Sequence, residues 1–375
     1  MIVEIAGVGI HPFGRFETSV TQMGVVAVRA ALDEADNPPI EAAFCGTAYS
    51  GVAAGHKVMS ALANTGMPIV DIEAGCASGA AALQLAAGAI RAGQYESVLV
   101  FGIEKMPKGV IRSSFFEPWR EQAGLAATPS YFALRAQRLM RERDIKKADL
   151  ADVVVKNRAH GVHNLNAMFR KTVTAEEVLA SRVVCEPLHL WMLCSPNEGA
   201  AAVVLRGAPS RTTGAVELAA ACLRSHLPGS VLGEATPMAG IDDADIPPPS
   251  RLAAAQAYEQ AAIGPDDVDV VECQDTDAAR ELLAWEELGL CEPGEQAALL
   301  ASGAHHLGGR RPVNPSGGLL AKGEPLGASA LGQVVELVHQ LRGQAGDRQV
   351  PDARVGLAHT VGRGANASVC LLTRH

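Results

Sequence analysis

Short, nearly unbroken apolar runs lie at residues 1–10, 40–46, 97–102, 197–205, 216–222, 270–273, 355–357 and 367–372. Lacking the apolar/polar alternation of a half-buried strand, they predict strands covered on both faces. Between them the spacing changes to three and four residues or turns alanine-rich, which predicts helices over 18–36, 80–92, 130–143, 174–181, 251–262 and 330–342. In the first of these, Met23, Val26, Ala27, Ala30 and Ala31 form the face expected to cover a sheet. Strand alternating with helix defines an α/β chain. Glycine-rich turns at 317–329 and 359–366 punctuate the second part, and the proline run at 246–249 marks a candidate boundary between halves.

The rest of the chain is organised around residues 71–106, DIEAGCASGAAALQLAAGAIRAGQYESVLVFGIEKM, which read as strand end, tight elbow, helix and strand. Small residues flank Cys76 in Ala74-Gly75-Cys76-Ala77-Ser78-Gly79 and let another backbone or a substrate come close. The helix is alanine-rich and suits packing on all sides. A thiol where a strand turns into a helix meets the helix's free N–H groups, which stabilise a thiolate and make a nucleophile. A lone cysteine among small residues is otherwise a core residue by default, and the elbow is what sets Cys76 apart from the other seven.

The chain has 375 residues, more than one small core accommodates, so two domains or two similar halves are expected. A net charge of −9 without any polybasic run excludes a nucleic-acid surface. No apolar stretch reaches membrane-spanning length, and the start reads as a strand rather than a signal peptide. Cysteines at 45, 76, 185, 194, 222, 273, 291 and 370 show no C-x-x-C pairing, so neither a metal site nor a disulfide framework is expected, and the chain reads as reduced and cytoplasmic.

Residues 107–187 change character, concentrating aromatic, Met and Arg side chains, and read as an inserted loop domain. Within it, His160 and His163 either end a surface helix or line a site. Arginines and lysines beside an apolar cleft would suit a phosphorylated carrier such as coenzyme A. The second half repeats the first half's strand, elbow and helix, and converging loops set a site between the halves.

Gly75-Cys76-Ala77-Ser78-Gly79, then 102–106, then 197–205, then 314–318 through Ala328-Ser329, resemble the thiolases in order along nearly the whole chain. The chain is most similar to the sterol-carrier-protein-type and lipid-transfer-protein-like thiolases. The resemblance implies a five-layer αβαβα thiolase fold with two pseudo-symmetric halves, an N-terminal half at 1–110 with 188–210 and a C-terminal half at 211–375. A loop domain at 111–187 would lie over the active site, and the molecule would be a homodimer. Cys76 falls on the acylated nucleophile. Glu324, in Gly323-Glu324-Pro325, stands where thiolases carry Gly-His-Pro. Gln274-Asp275-Thr276-Asp277 stands where the sterol-carrier type carries His-Asp-Cys-Phe, and His359 stands near the C-terminal Cys-x-Gly acid/base. Cys76, His359 and Glu324 are therefore the expected catalytic residues, with Gln274, Asp275, Gly317, Gly318, Gly362, His160 and His163 binding substrate. His359 either serves as the missing base or is a buried, hydrogen-bonded ring, and Glu324 either moves a proton or caps its turn.

The resemblance implies coenzyme A thioesters as substrates, no bound cofactor and no metal. The leading expectation is carbon–carbon bond formation or cleavage through an acyl-Cys76 intermediate, as in a 3-ketoacyl-CoA thiolase or C-acyltransferase of lipid or steroid metabolism. The alternatives are retro-aldol cleavage of a hydroxyacyl-CoA side chain with a small zinc-ribbon/OB-fold partner, and a non-catalytic lipid- or acyl-CoA-binding subunit.

Overall fold

A computed structural model describes residues 1–108, 119, 122–123, 128–228, 246–362 and 366–375. Strands β1 (Ile2–Gly14), β2 (Ala42–Gly46), β3 (Ile69–Ile72), β4 (Ser97–Lys105) and, after the loop domain and its hairpin β5 (Val183–Cys185) and β6 (Leu188–His189), β7 (Glu198–Ala208) form the first half-sheet. Its order is β3-β2-β4-β7-β1, with β3, β2 and β4 parallel and the rest antiparallel. The second half contributes β8 (Val216–Arg224), β9 (Val270–Cys273), β10 (Val355–Gly362) and β11 (Asn366–Arg374) in the order β8-β11-β10-β9. Here β9 and β10 are parallel and the others antiparallel, which repeats the β2-β4-β7-β1 sequence of directions. A parallel bridge from Val271 to Val313 stands where β3 flanks β2. The two half-sheets join where Glu4 and Ile5 of β1 meet Glu217 and Val216 of β8.

Side-chain alternation on these strands explains the layering. In β4, Val98 and Val100 face one cluster while Leu99, Phe101 and Ile103 face another, and β7 splits Ala201, Val203 and Leu205 from Ala200, Ala202 and Val204 in the same way. The inner cluster holds helices α3 (Ser78–Arg91) and α11 (Leu326–Arg342) between the half-sheets. Helices α1 (Val20–Glu34) and α2 (Ala54–Ala61) cover the outside of the first half-sheet. Helices α7 (Pro249–Ala261) and α8 (Ala278–Glu287) cover the second. The result is the expected five-layer αβαβα thiolase fold. No helix among the described residues is long and apolar enough to cross a membrane.

Three local expectations are corrected. The buried stripe of α1 is Met23, Gly24, Ala27, Val28, Ala31 and Leu32, rotated so that Val26 and Ala30 face outward. Helix α3 is not enclosed all round, because Leu85 is 51% exposed. The proline run lies inside the second half, since β8 precedes it and is already paired along β11. Pro248 is the N-cap of α7 and Pro249 opens that helix, where a missing N–H is harmless.

The loop domain packs on the second half through helices α4 (Thr128–Arg143), α5 (Lys147–Gly161) and α6 (Ala175–Ala180), with Leu139, Val153, Val154 and Val178 in one cluster with Leu282 and Trp285. Helix α5 is not a surface helix at its end, because Lys156, Asn157, Arg158 and His160 are all buried.

His160 donates from Nδ1 to the Asn314 carbonyl at 3.0 Å and accepts at Nε2 from Leu307 N–H at 3.0 Å. This neutral ring is pushed down to about 3, first by burial and then by Lys156. Burial likewise brings His305, of the 302–317 segment before α10 (Gly318–Lys322), down to about 4. An imidazole depressed in the folded state binds its proton first in the unfolded chain, so each one removes stability as pH falls from about 6.5 toward the folded value. The loss is about 1.4 kcal/mol per group per pH unit. Urea melts between pH 6.5 and 4.5 should show this slope, and His160→Gln should reduce proton uptake on unfolding by about one proton at pH 5. An unchanged slope in that variant would place the acid sensitivity elsewhere.

Candidate active site

The elbow that carries Cys76 is closed by its own small residues. Gly75 adopts φ +60°, its N–H donates to Glu73 Oε1 at 2.7 Å, and the Ser78 hydroxyl donates to the Gly75 carbonyl at 2.6 Å while accepting from Ala74 N–H at 2.9 Å. Ser78 then opens α3, so Cys76 stands two residues ahead of a fourteen-residue helix. From the second half, Gly362 lies against this elbow, and a Cβ there would meet the Ala74 carbonyl at 2.1 Å. Only glycine lets the end of β10 come this near the thiol.

The end of β9 and the glycine-rich elbow supply the opposite wall. Gln274 donates from Nε2 to Glu324 Oε1 at 2.9 Å and accepts from the Val361 N–H with its own oxygen, joining three loops. Asp275 points away from the cavity and accepts from Leu319 and Leu320 N–H at 2.6 and 3.1 Å, and from Asn157 Nδ2 at 2.8 Å. Gly318, at φ +60°, is held so close that a Cβ would sit 2.2 Å from Asp275 Oδ2. Gly317, at φ +94°, packs in the same way on Gly161 of α5. Burial, then Glu281, push the Asp275 carboxyl well above the usual range.

Sequence reasoning missed Cys194. Its Sγ donates to Glu324 Oε2 at 3.1 Å and its N–H donates to the Thr276 carbonyl at 2.9 Å. Burial, then the Glu324 carboxylate, push this thiol well above its ordinary value, and the Cys76 sulfur adds to the effect. A topological signal was available. Because β7 runs antiparallel to β4 and pairs Glu198 with Lys105, the residues just before β7 lie at the strand end from which the Cys76 elbow also emerges.

Cys76, Cys194, Gln274, Glu324 and Gly362 line one cavity of about 920 Å³. His359, Asp275, Gly317, Gly318, His160 and His163 do not. His359 projects from β10 on the face opposite Ala358 and Thr360, and its Nε2 meets Ser250 Oγ of α7 at 3.0 Å. Burial and Arg280 hold it well below the ordinary imidazole range, so it is a neutral, enclosed ring that the structure does not bring to Cys76. His160 ties α5 to the 307 and 314 backbones, and His163 is exposed with Nδ1 3.6 Å from Asp347 Oδ2. Asp275, Gly317 and Gly318 shape the loop that presents Glu324 rather than the cavity wall.

The loop domain closes the cavity with Phe132, Met168, Phe169 and Val173, joined by Leu190 and Trp191 from the segment before β7. Cationic side chains punctuate this apolar wall. Arg135 and Arg280 are paired with Asp277 and Glu287, whereas Arg170, Lys171 and Arg182 are exposed at the rim. Among the described residues no cluster of His, Cys, Asp or Glu is placed to hold a metal ion.

Two thiols and a carboxylate line a cavity between two matching α/β halves, and the chain belongs to the thiolase family. Residues 3–208 match the thiolase N-terminal domain and 234–374 the thiolase C-terminal domain-like model. The chain is 34% identical to sterol carrier protein 2 of Oryctolagus cuniculus, over 98% of this chain and 71% of that protein. It is also 34% identical to the benzoylsuccinyl-CoA thiolase subunit BbsB of Thauera aromatica, over 97% and 96%. The solved Ltp2-ChsH2(DUF35) aldolase superposes with a TM-score of 0.87 at 25% identity, covering 100% of this chain and 98% of that one.

Removing the anion beside Cys194 should release its thiol. Glu324→Gln is expected to raise the rate of iodoacetamide labelling at Cys194 by about tenfold at pH 8, the effect of one unit of pKa. Cys76 should label ahead of Cys194 in the unaltered protein. Site-resolved mass spectrometry checks both, and a Cys194 rate unmoved by Glu324→Gln would show that the carboxylate does not control the thiol.

Proposed function

We propose that the chain is an acyl-CoA-dependent enzyme that breaks or forms the carbon–carbon bond of a 3-ketoacyl thioester, with the acyl group carried on Cys76. The observation that carries this reading is the meeting of Cys76, Cys194 and Glu324 on one cavity. In the cleaving direction Glu324 takes the Cys76 proton and the sulfur attacks the 3-keto carbon. The C2–C3 bond breaks, its electron pair stays on C2 of the departing acetyl-CoA, and C2 takes a proton from Cys194. Glu324 then returns its proton to Cys194, and the sulfur of a coenzyme A thiol attacks the acyl carbon, the bond to Cys76 breaks, and the coenzyme A thiol proton passes to the released Cys76 sulfur. The apolar wall and volume of the cavity support a bulky lipid- or steroid-like acyl group. Rim cations Arg170, Lys171 and Arg182 suit the carrier's phosphates. All eight cysteines are free thiols, which supports work in a reducing compartment such as the cytoplasm.

A second reading is favoured by the aldolase whose fold follows this chain from end to end. Retro-aldol cleavage needs a base and a stabilised enolate but no covalent thiol, and that aldolase pairs Ltp2 with ChsH2(DUF35), so a small partner subunit accompanies this reading. Intact-mass measurement with 3-ketoacyl-CoA separates the two. An acyl adduct should appear on the wild type and on Cys194→Ala and be absent from Cys76→Ala, with turnover of Cys194→Ala reduced by about 10²–10⁴. Full turnover by Cys76→Ala would overturn the acyl-cysteine and leave the aldolase.

We also propose a homodimer formed at the first half's edge. There β3 ends the sheet with Val70 exposed, and Leu85 of α3 is exposed near the segment leading into Cys76. Light scattering should give twice the 39.0 kDa chain mass at micromolar concentration, and a monomer there would count decisively against this interface.

A further inference from the structure

One charge in the cavity wall has no counter-charge among the described residues. Arg158, on the last turn of α5, is 8% exposed and lines the cavity. Its guanidinium lies over the Phe169 ring at 4.0 Å, and its Nε has no hydrogen-bond partner among the described residues. No carboxylate pairs with it among the described residues, in contrast to Arg135 and Arg280 in the same wall, each of which is matched by a buried acid. Burial alone brings it down to about 10, which leaves it a cation at neutral pH. A buried cation without an anion is costly, and a ligand that brings one recovers that cost. The phosphates of a coenzyme A carrier already have exposed partners at the rim in Arg170, Lys171 and Arg182, so the anion for Arg158 is one carried past them.

We propose that Arg158 is an oxyanion receptor inside the cavity and that it takes a carboxylate borne by the acyl group, making the substrates thioesters of acids with a second, distal carboxylate. This rests on the coenzyme A thioester reading above and narrows its substrate class. The guanidinium presents its fork to carboxylate oxygens while Phe169 fixes its plane.

Calorimetric titration of wild type and Arg158→Met with free coenzyme A, hexanoyl-CoA and adipoyl-CoA tests it, the last two differing only by the terminal carboxylate. Wild type should bind adipoyl-CoA at least tenfold more tightly than hexanoyl-CoA, and Arg158→Met should abolish that preference while leaving coenzyme A and hexanoyl-CoA affinities unchanged. The variant keeps an unbranched apolar stem on Phe169 and removes an unpaired buried charge, so its Tm should equal or exceed that of the wild type. Equal loss of all three ligands in Arg158→Met would assign the anion to a carrier phosphate and overturn the carboxylate. A lowered Tm with all affinities intact would make Arg158 a packing residue and overturn the receptor. Absence of wild-type binding to coenzyme A and both thioesters would overturn the thioester reading itself, a result distinct from losing the preference alone.

Discussion

The site depends on one buried carboxyl group. Asp275, at the end of β9, grips the first N–H groups of α10 and the amide of Asn157 from the loop domain. Asn157 also bonds Glu281 of α8, which pairs with Lys156 and accepts from Asn314. A strand end, the glycine-rich elbow, the loop domain and an outer helix are thus joined through groups with no access to water. Removing one member leaves the others buried and unmatched, which costs more than the bond itself contributes. That penalty holds the elbow in one place, and the elbow's exit is Glu324.

The two halves reach this arrangement differently. Each runs strand, elbow, inner helix, strand, with α3 and α11 side by side in the inner layer. In the first half the elbow is an open turn that displays a thiol, closed by local bonds from Ser78 and Glu73. In the second the elbow is locked by Asp275, and a second ion pair, Lys322 with Glu272 at 3.2 Å, secures its far end beside Ser316. The open elbow displays the Cys76 thiol to the cavity and the locked one holds the Glu324 carboxylate on the same cavity. Glu104 of β4 couples them, accepting from Ala48 and Tyr49 N–H of the first half and from Gly327 N–H at the start of α11.

What could be read from the chain follows from how local each determinant is. Cys76 was legible because its environment is made by adjacent small residues and the helix that follows. Both half-sheets were legible because strands covered on two faces carry unbroken apolar runs. Facing was not legible at His359. One residue along β10 changes the layer a side chain enters, and His359 goes with Cys273 toward the outer helices while Thr360 reaches Gln333 of α11. His160 was ambiguous for a related reason, since a helix's buried face depends on what packs above it, and α5 is covered by the 305–317 segment. Cys194 lies in an irregular stretch before β7, where no periodicity marks function, and only the antiparallel return of β7 along β4 brings it to the elbow.

Replacing an imidazole with Glu324 changes the electrostatics rather than only the identity of the base. A carboxylate next to Cys76 alone would oppose the thiolate that acylation requires. Here Gln274 holds one carboxyl oxygen and Cys194 donates its proton to the other, so the negative charge is met by two donors and kept in the plane they define. Burial raises the Cys194 thiol first, and the Glu324 carboxylate raises it further, because ionising the sulfur would place two anions 3.1 Å apart. In the proposed cleavage the carbanion at C2 would take its proton from the Cys194 sulfur, and the Glu324 carboxyl group, once protonated by Cys76, would return one. On that proposal the work of the usual imidazole falls to a thiol and a carboxylate that neither sequence position announces alone.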